Sequence, residues 1–330
     1  MNLLLIHPYA KESKDVENHL WMQTSYAFIS VYKQRIAALD RVIQNASRQQ
    51  PRQGGHGPVE HRKLIQRFRQ FLGDEEKFWS QLVVRFRRSF ALDEAQPALL
   101  ALGILSTSDV VTSGNHRDAP EPREGGISTS TGRNHQFPLE DATISVEPKT
   151  AAERDGRLAI LSKALICLGD IARYRELYNE SGGRPKAGHE DSGPKRGRNR
   201  RGGSVGLDAI PRARNYDKAQ QCYEQAKLLV PYEGNPSHQL AILASYEKDS
   251  FMSLVHYYRA LCVRQPYDTA SENLGTVLTK ALDQWKIRTR RERNGDGLDP
   301  ATAMVPRVRI GVFKEKLVVL HALWRLGVDK

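Results

Sequence analysis

Arg173 and Tyr174 lie on a predicted helix whose local geometry is compatible with an anion-binding arginine. An arginine guanidinium can hold a phosphate or carboxylate through two parallel hydrogen bonds. Gly169 lies one turn before Arg173 and leaves room for its side chain or for a ligand, because helical side chains lean toward the preceding turn. Asp170, at i, i+3 spacing, can orient the guanidinium. The alternative is a structural Asp170–Arg173 pair on an ordinary helix.

Catalytic and metal-binding patterns are missing from the sequence, so we expect no enzyme, no cofactor and no metal. The 330 residues contain no phosphate-binding loop, no GxSxG motif and no HExxH motif. The three cysteines have no CxxC or cysteine–histidine ligand spacing, and we interpret them as small core residues of a reducing compartment. His238 and His256 have no ligand partners and are interpreted as core or surface residues.

The charge balance favours an anionic partner, because the formal net charge is +12. Two basic runs, near 195–201 and near 286–293, give a nucleic-acid-binding alternative. The residues that would contact DNA or RNA are Lys195, Arg196, Arg198, Arg200, Arg201, Arg288, Arg290 and Arg291. Glycine-spaced basic runs are also common in solvated loops, so the first run has that second interpretation.

A pattern of small, aromatic and proline residues occurs twice in the last third of the chain, 34 residues apart. The first copy is Ala219, Tyr223, Ala226 and Pro231, and the second is Ser253, Tyr257, Ala260 and Pro266, whose proline comes one place late. This pattern is typical of the second helix of a tetratricopeptide repeat, where small residues let two helices approach and proline ends the helix. We interpret Tyr223, Tyr257 and Tyr258 as packing residues rather than a base-stacking platform.

The spacing of apolar residues predicts an all-α chain. Helices are predicted over roughly 14–44, 58–90, 153–178, 215–230, 237–247, 250–265, 269–290 and 310–326. The expected apolar residues are Leu20, Ala27, Phe28, Val31, Leu39 and Val42 in the first helix and Phe313, Leu317, Leu320 and Trp324 in the last. A capping box is predicted at 269–272.

Two segments, 106–153 and 181–212, are rich in Ser, Gly, Pro and charged residues and are predicted to be disordered insertions. The N-terminal apolar run is short and lacks a basic flank, so no signal peptide is predicted. No apolar run approaches the ~20 residues that a membrane span needs. We expect a protein of the cytoplasm and nucleus.

Several of these segments together resemble the N-terminal domain of the ever-shorter-telomeres/SMG family of telomerase-associated and nonsense-mediated mRNA decay factors. They are VENHLW (16–21), RFRQFLGDEEKFW (67–79), CLGDIARYRELY (167–178) and the run from Gly234 to Leu261 followed by PYDTASENL. The resemblance covers the predicted helices and excludes the two insertions. It implies a 14-3-3-like layer of antiparallel helices with tetratricopeptide-like repeats. The positions of the insertions suggest a fungal member, and we expect a fragment of a longer protein.

The resemblance also implies a site and a function. The Arg-Tyr pair of GDIARY, Arg173 and Tyr174, corresponds to a pair that grips phosphate in 14-3-3 proteins. Partner cations should come from the first helix, where the family's lysine falls at Tyr26, a departure, and a further cation falls at Lys33. Tyr26 and Lys33 are seven residues apart and share a helical face.

The leading hypothesis is a non-enzymatic adaptor that recognises phosphoserine on the RNA helicase Upf in mRNA decay, with decay enzymes or telomerase as further partners. The alternatives are a DNA/RNA-binding telomerase-associated factor and a plain helical-repeat scaffold. The expected domains are 14-3-3-like helices over 1–105, an insertion over 106–153, repeat helices over 154–290 and a truncated helical region over 291–330.

Overall fold

Residues 13–49, 57–106, 147–179, 214–294 and 305–327 are described by the computed structural model. Every regular element within these ranges is helical, apart from one isolated bridge between Glu233 and Gln265, so the all-α prediction is confirmed. No helix within them combines the length and apolar character needed to cross a membrane. The predicted insertions fall mostly outside the described residues, and the predicted domain boundaries stay a prediction.

The chain divides into two compact units, Met1–Cys222 and Tyr223–Lys330. The first unit contains α1 (Val16–Leu20), a π-helical turn (Trp21–Ser25), α2 (Tyr26–Gln49), α3 (Gly57–Ser89), a 3-10 turn (Asp93–Ala95), α4 (Gln96–Ala101) and α5 (Ala151–Leu177). Helix α6 (Asp217–Leu229) spans the division. The second unit continues with α7 (Asn235–Tyr246), α8 (Ser250–Cys262), α9 (Thr269–Arg293) and α10 (Pro306–Leu326).

Helices α2 and α3 form an antiparallel pair. The rings of Phe28 and Phe71 lie 5.8 Å apart near one end of the contact, and His61 Nε2 lies 2.9 Å from Asp40 Oδ1 near the other. Residue numbers therefore rise along α2 as they fall along α3. Phe68 of α3 in turn contacts Tyr178, which directly follows α5, with ring centroids 5.0 Å apart. Helix α3 is thus the central element that places α2 and α5 together.

The apolar face predicted for the helix over 14–44, which covers α1, the π-helical turn and most of α2, is wrong. Phe28, Val31 and Val42 are 57%, 50% and 59% exposed, whereas Ile29 and Ile36 are buried. Ser25 and Asp40 are also buried. Ser25 Oγ donates to Glu75 (2.5 Å) and accepts from Trp79 Nε1 (3.1 Å), and Asp40 pairs with His61. A hydrophobic pattern cannot identify this face, because its polar members are compensated by partners on another helix.

Helix α5 is buried on several sides. Leu161, Leu165 and Ile171 are no more than 1% exposed, and Ile166 and Leu168, which lie on other sides of the helix, are each 4% exposed. A capping box starts the helix, in which Glu153 N donates to Thr150 Oγ1 at 3.2 Å and the Glu153 carboxylate accepts from Thr150 N. The predicted capping box at 269–272 is wrong, because Asp268 precedes α9 and no side chain caps that helix.

The six small and aromatic positions of the 34-residue pattern are all buried, which confirms their assignment to packing. They are Ala219, Tyr223, Ala226, Ser253, Tyr257 and Ala260. In the second unit, Ser253 Oγ donates to the carbonyl of Ala241 at 3.1 Å across the α7–α8 hairpin. A larger side chain at Ser253 or Ala260 would separate these helices.

The apolar face predicted for the last helix is also wrong. Helix α10 contributes Val318, Val319 and Ala322 to the core of the second unit. Phe313, Leu320 and Trp324 are instead 61%, 58% and 80% exposed. The helix carries apolar residues around most of its circumference, and the smaller side chains are the ones that allow a close approach.

Candidate anion-binding site

The structure brings three of the four predicted phosphate-binding residues together. Lys33 Nζ lies 5.2 Å from the centre of the Tyr174 ring, and Arg173 Cζ lies 4.9 Å from the same ring. Lys33 comes from α2 and the other two residues from α5, so the packing of these helices beside α3 creates the arrangement. One phenol with two nearby cations is suited to an anionic ligand, although a cation over a ring is also a stable contact by itself.

The Asp170–Arg173 pair expected as the structural alternative is present. Arg173 Nη2 lies 2.9 Å from Asp170 Oδ1, and the two side chains are only 10% and 13% exposed. A carboxylate at this position fixes the plane of the guanidinium and neutralises part of its charge. The site therefore combines a buried, oriented arginine with the half-buried amine of Lys33.

Tyr26 takes a different role from the other three residues. Its ring is half-buried and lies 6.2 Å, centre to centre, from that of Trp21, which starts the π-helical turn. Two turns of helix separate Tyr26 from Lys33, or about 10 Å along the axis. Tyr26 thus extends the α2 face that carries Lys33 and brings no cation to it.

Burial raises the pKa of the neighbouring Cys167 thiol well above its ordinary value, and the carboxylate of Asp170 raises it further. The thiol is therefore neutral and acts as a packing residue on α5. This agrees with the interpretation of Cys167 as a core residue, and Cys222 is also buried, but the same interpretation of Cys262 is wrong because Cys262 is exposed.

The basic residues of the nucleic-acid alternative are only partly described. Lys195, Arg196, Arg198, Arg200 and Arg201 lie outside the described residues. Arg290 and Arg291 are exposed at the end of α9. Arg288 instead pairs with Glu315 of α10 and lies 3.5 Å from Glu292, so its charge is compensated within the second unit.

A pocket in the second unit was missed by the sequence reasoning. This aromatic pocket has a volume of about 380 Å³ and is lined by Tyr258, His321, Trp324 and Arg325. Tyr258 Oη and His321 Nδ1 are 3.2 Å apart, and Arg325 Nη2 donates to Ser271 Oγ at 2.7 Å. The sequence signal was the HALWR run, which places His321 and Trp324 one turn apart. The apolar spacing of α10 instead predicts Trp324 in the core.

Comparison with known proteins identifies the family. The model of the family "Telomerase activating protein Est1" matches residues 15–179, and that of the "Est1 DNA/RNA binding domain" matches residues 219–309. The chain belongs to the Est1/SMG family, as its resemblance implied.

Relatives from both branches of the family are similar to the chain. It is 27% identical to the nonsense-mediated mRNA decay factor SMG7 of Arabidopsis thaliana over 82% of its own length. It is 30% identical to the telomerase-binding protein EST1A of Danio rerio over 42% of its length, and 42% identical to SMG7 of Danio rerio over 24%. The chain spans 19% of the Arabidopsis protein and 7% of each Danio protein.

Proposed function

We propose that this protein is a non-enzymatic adaptor that recognises phosphoserine on an RNA helicase in nonsense-mediated mRNA decay. The observation that carries the proposal is the meeting of Lys33, Arg173 and Tyr174 on two packed helices. The similarity to SMG7 supports the pathway. The corresponding locations are the cytoplasm and the nucleus, and decay enzymes or telomerase are further partners under the same proposal.

The electrostatics of the site suit a doubly charged phosphate. Lys33 and Arg173 contribute two positive charges, and Asp170 partly neutralises that of Arg173. A phosphoserine carries close to two negative charges and three acceptor oxygens, so it gains more at this site than a serine or a single carboxylate does. Asp170 also holds the guanidinium in one orientation, which lowers the entropy lost on binding.

A peptide titration tests the proposal directly. A fluorescein-labelled peptide from the RNA helicase is titrated by fluorescence polarisation in phosphorylated and unphosphorylated forms. Lys33→Gln and Arg173→Gln should each weaken binding of the phosphorylated form at least ~10-fold, because a charged hydrogen bond contributes about 1.5–3 kcal/mol. Arg35→Gln removes an exposed charge from the same helix and should change binding by less than about 3-fold.

Two outcomes contradict the pocket: equal binding of the two peptide forms, and equal effects of Lys33→Gln and Arg35→Gln. Because Arg173 is buried, Arg173→Gln is measured beside a melting curve. A variant that unfolds while Lys33→Gln binds normally assigns Arg173 to structure alone.

The aromatic pocket favours a second candidate function, the binding of single-stranded RNA or DNA. Exposed Trp324 beside His321 and Tyr258 offers a face on which a base can stack, and Arg325 offers a cation for its phosphate. The match to the Est1 DNA/RNA binding domain covers 219–309, which includes Tyr258 but ends before His321, Trp324 and Arg325.

Substitution at Trp324 tests this candidate. Trp324→Ala should weaken binding of a labelled oligouridine by about 5- to 150-fold, because base stacking contributes about 1–3 kcal/mol. Phe313→Ala removes an exposed ring of the same helix that does not line the pocket, so it should leave binding unchanged. Equal losses in the two variants would contradict a specific stacking site.

A further inference from the structure

A second basic site lies on α3, away from Lys33. This basic cleft has a volume of about 460 Å³ and is lined by Arg62, Gln66, Arg69, Gln70 and Arg175. The first three of these residues follow one another at i, i+4 and i+7, which places them on one stripe of the helix. All five side chains end in hydrogen-bond donors, and none of the five is an acid or an aromatic residue.

The three arginines of the cleft differ in how far their charges are compensated, and this difference points to an anionic ligand. Arg175 pairs with Glu76, which also holds Lys218, so Arg175 is fixed in place with part of its charge compensated. Within the described part of the chain, no carboxylate lies at ion-pair distance from Arg62 or Arg69. Two uncompensated guanidinium groups therefore face one concave space beside an oriented third.

The cleft opens on the side of α3 that is turned away from α2. Phe71, which contacts Phe28 of α2, lies nearly opposite Arg62 and Arg69 around the helix, given 100° per residue. On α5, Arg175 is rotated by about 200° from Arg173. The cleft and the Lys33–Arg173–Tyr174 site thus lie on different sides of the first unit, so one small ligand cannot occupy both.

The lining favours a peptide over a nucleic acid. Guanidinium groups bind carboxylates and phosphates through two parallel bonds, and glutamine amides can pair with the amide groups of an extended backbone. Arg62 and Arg69 are about 10 Å apart along α3, the length of about three residues of extended chain. Proteins that bind single-stranded DNA or RNA without sequence preference stack the bases on aromatic rings, and none of the cleft residues is aromatic.

We propose that the basic cleft binds an extended acidic segment of a partner protein through its anionic side chains. The carboxylates of Glu or Asp, or the phosphate of a phosphoserine, meet Arg62 and Arg69, while Gln66 and Gln70 hold the backbone. The binding does not depend on Arg173. A partner that carries both a phosphoserine and an acidic segment can therefore engage the first unit at two points, with the gain in affinity that two linked contacts give.

A pair of double variants with equal charge tests the cleft. Arg62→Gln/Arg69→Gln removes the two uncompensated cations, and Lys63→Gln/Arg67→Gln removes two exposed cations of the same helix that do not line the cleft. The probe is a short fluorescein-labelled peptide of alternating glutamate and glycine, measured by fluorescence polarisation on the whole chain. A phosphoserine–glycine peptide and an oligouridine are measured in parallel, and circular dichroism melting checks the fold.

The cleft variant should lose at least ~10-fold in affinity for the glutamate peptide, because it loses bidentate contacts that only the cleft residues make. The control variant should lose less than ~3-fold, because long-range charge effects are common to both double variants and are screened by salt. Lys33→Gln should lower this affinity less than the cleft variant does, and tighter binding of the phosphoserine peptide to the same residues would assign phosphate as the preferred anion. Three results overturn the proposal: undetectable binding of both peptides, equal losses in the two double variants, and binding of oligouridine through Arg62 and Arg69 in preference to the peptides.

Discussion

Gly234→Ala should destabilise the second unit because two of its backbone segments meet at Gly234. A Cβ built on Gly234 would lie 2.8 Å from Tyr267 N and 3.2 Å from the carbonyl carbon of Ala260, and would overlap the Ala260 oxygen. These are backbone atoms, so no side-chain rotation relieves the contact. Gly234 has φ −82°, which alanine adopts easily, so the expected cost is steric.

The contact involves two hydrogen bonds, one from the start of α7 to the segment after α8 and one from that segment back to the last turn of α8. Gly234 N donates to Gln265 O at 2.9 Å, and Tyr267 N donates to Ala260 O at 3.1 Å. Overpacking costs about 1–3 kcal/mol, and a buried bond broken on one side costs about 1–3 kcal/mol more. We therefore expect Gly234→Ala to lower the free energy of unfolding by about 3 kcal/mol and the Tm by about 12 °C.

Gly275→Ala is the matched control. Gly275 lies inside α9, and a Cβ at this position meets no atom within 4 Å. Alanine in a helix interior is favoured over glycine by about 0.5–1 kcal/mol, so this variant should melt slightly above the wild type. Differential scanning calorimetry measures both. A Gly234→Ala protein that melts within about 2 °C of the wild type would refute the steric argument.

Three further predictions concern packing and ionisation. Ala226→Leu or Ala260→Leu should cost roughly 1–3 kcal/mol in chemical denaturation, since both alanines are fully buried, and unchanged midpoints in both would contradict the repeat packing. Burial lowers the pKa of His256 below 6.5, so the unfolded chain binds a proton first and stability falls as the pH drops below that value. His256→Gln should flatten this loss between about pH 7 and about pH 5.5, and an identical pH profile would exclude His256 as its source. Exposed Cys262 should react with a thiol reagent before Cys222, because Cys222 is buried and burial raises its pKa to about 11. Mass spectrometry of the labelled protein shows the order of reaction. Faster labelling of Cys222 would contradict the structure.

The sequence by itself determined the helices and their close contacts. Helical periodicity needs only local spacing, and the small–aromatic–small pattern identified Tyr223 and Tyr257, which are buried. The GDIARY motif likewise located Arg173 and Tyr174 on one helix without any structure. Local patterns predict such features because a residue and its neighbours one turn away are linked by the helix itself.

Only the tertiary structure decided which side of the first predicted helix and of α10 is buried. In the π-helical turn and α2 the buried residues include Ser25 and Asp40, and their burial depends on Glu75, Trp79 and His61, far along the chain. In α10 the exposed side includes Trp324, the residue that the pattern favoured for the core. A helix with apolar residues on several sides can pack in more than one way, and its partner selects the side.

Both candidate anion sites of the first unit also depend on the tertiary structure. Lys33 meets Tyr174 across a separation of 141 residues, and Arg175 joins Arg62 and Arg69 across more than a hundred. The sequence provided the cations, but it could not place them around one space, because α3 sets that geometry by packing against α2 and α5 on two of its sides. Charge is a local property of the chain, whereas a binding site requires side chains from distant segments to face the same volume.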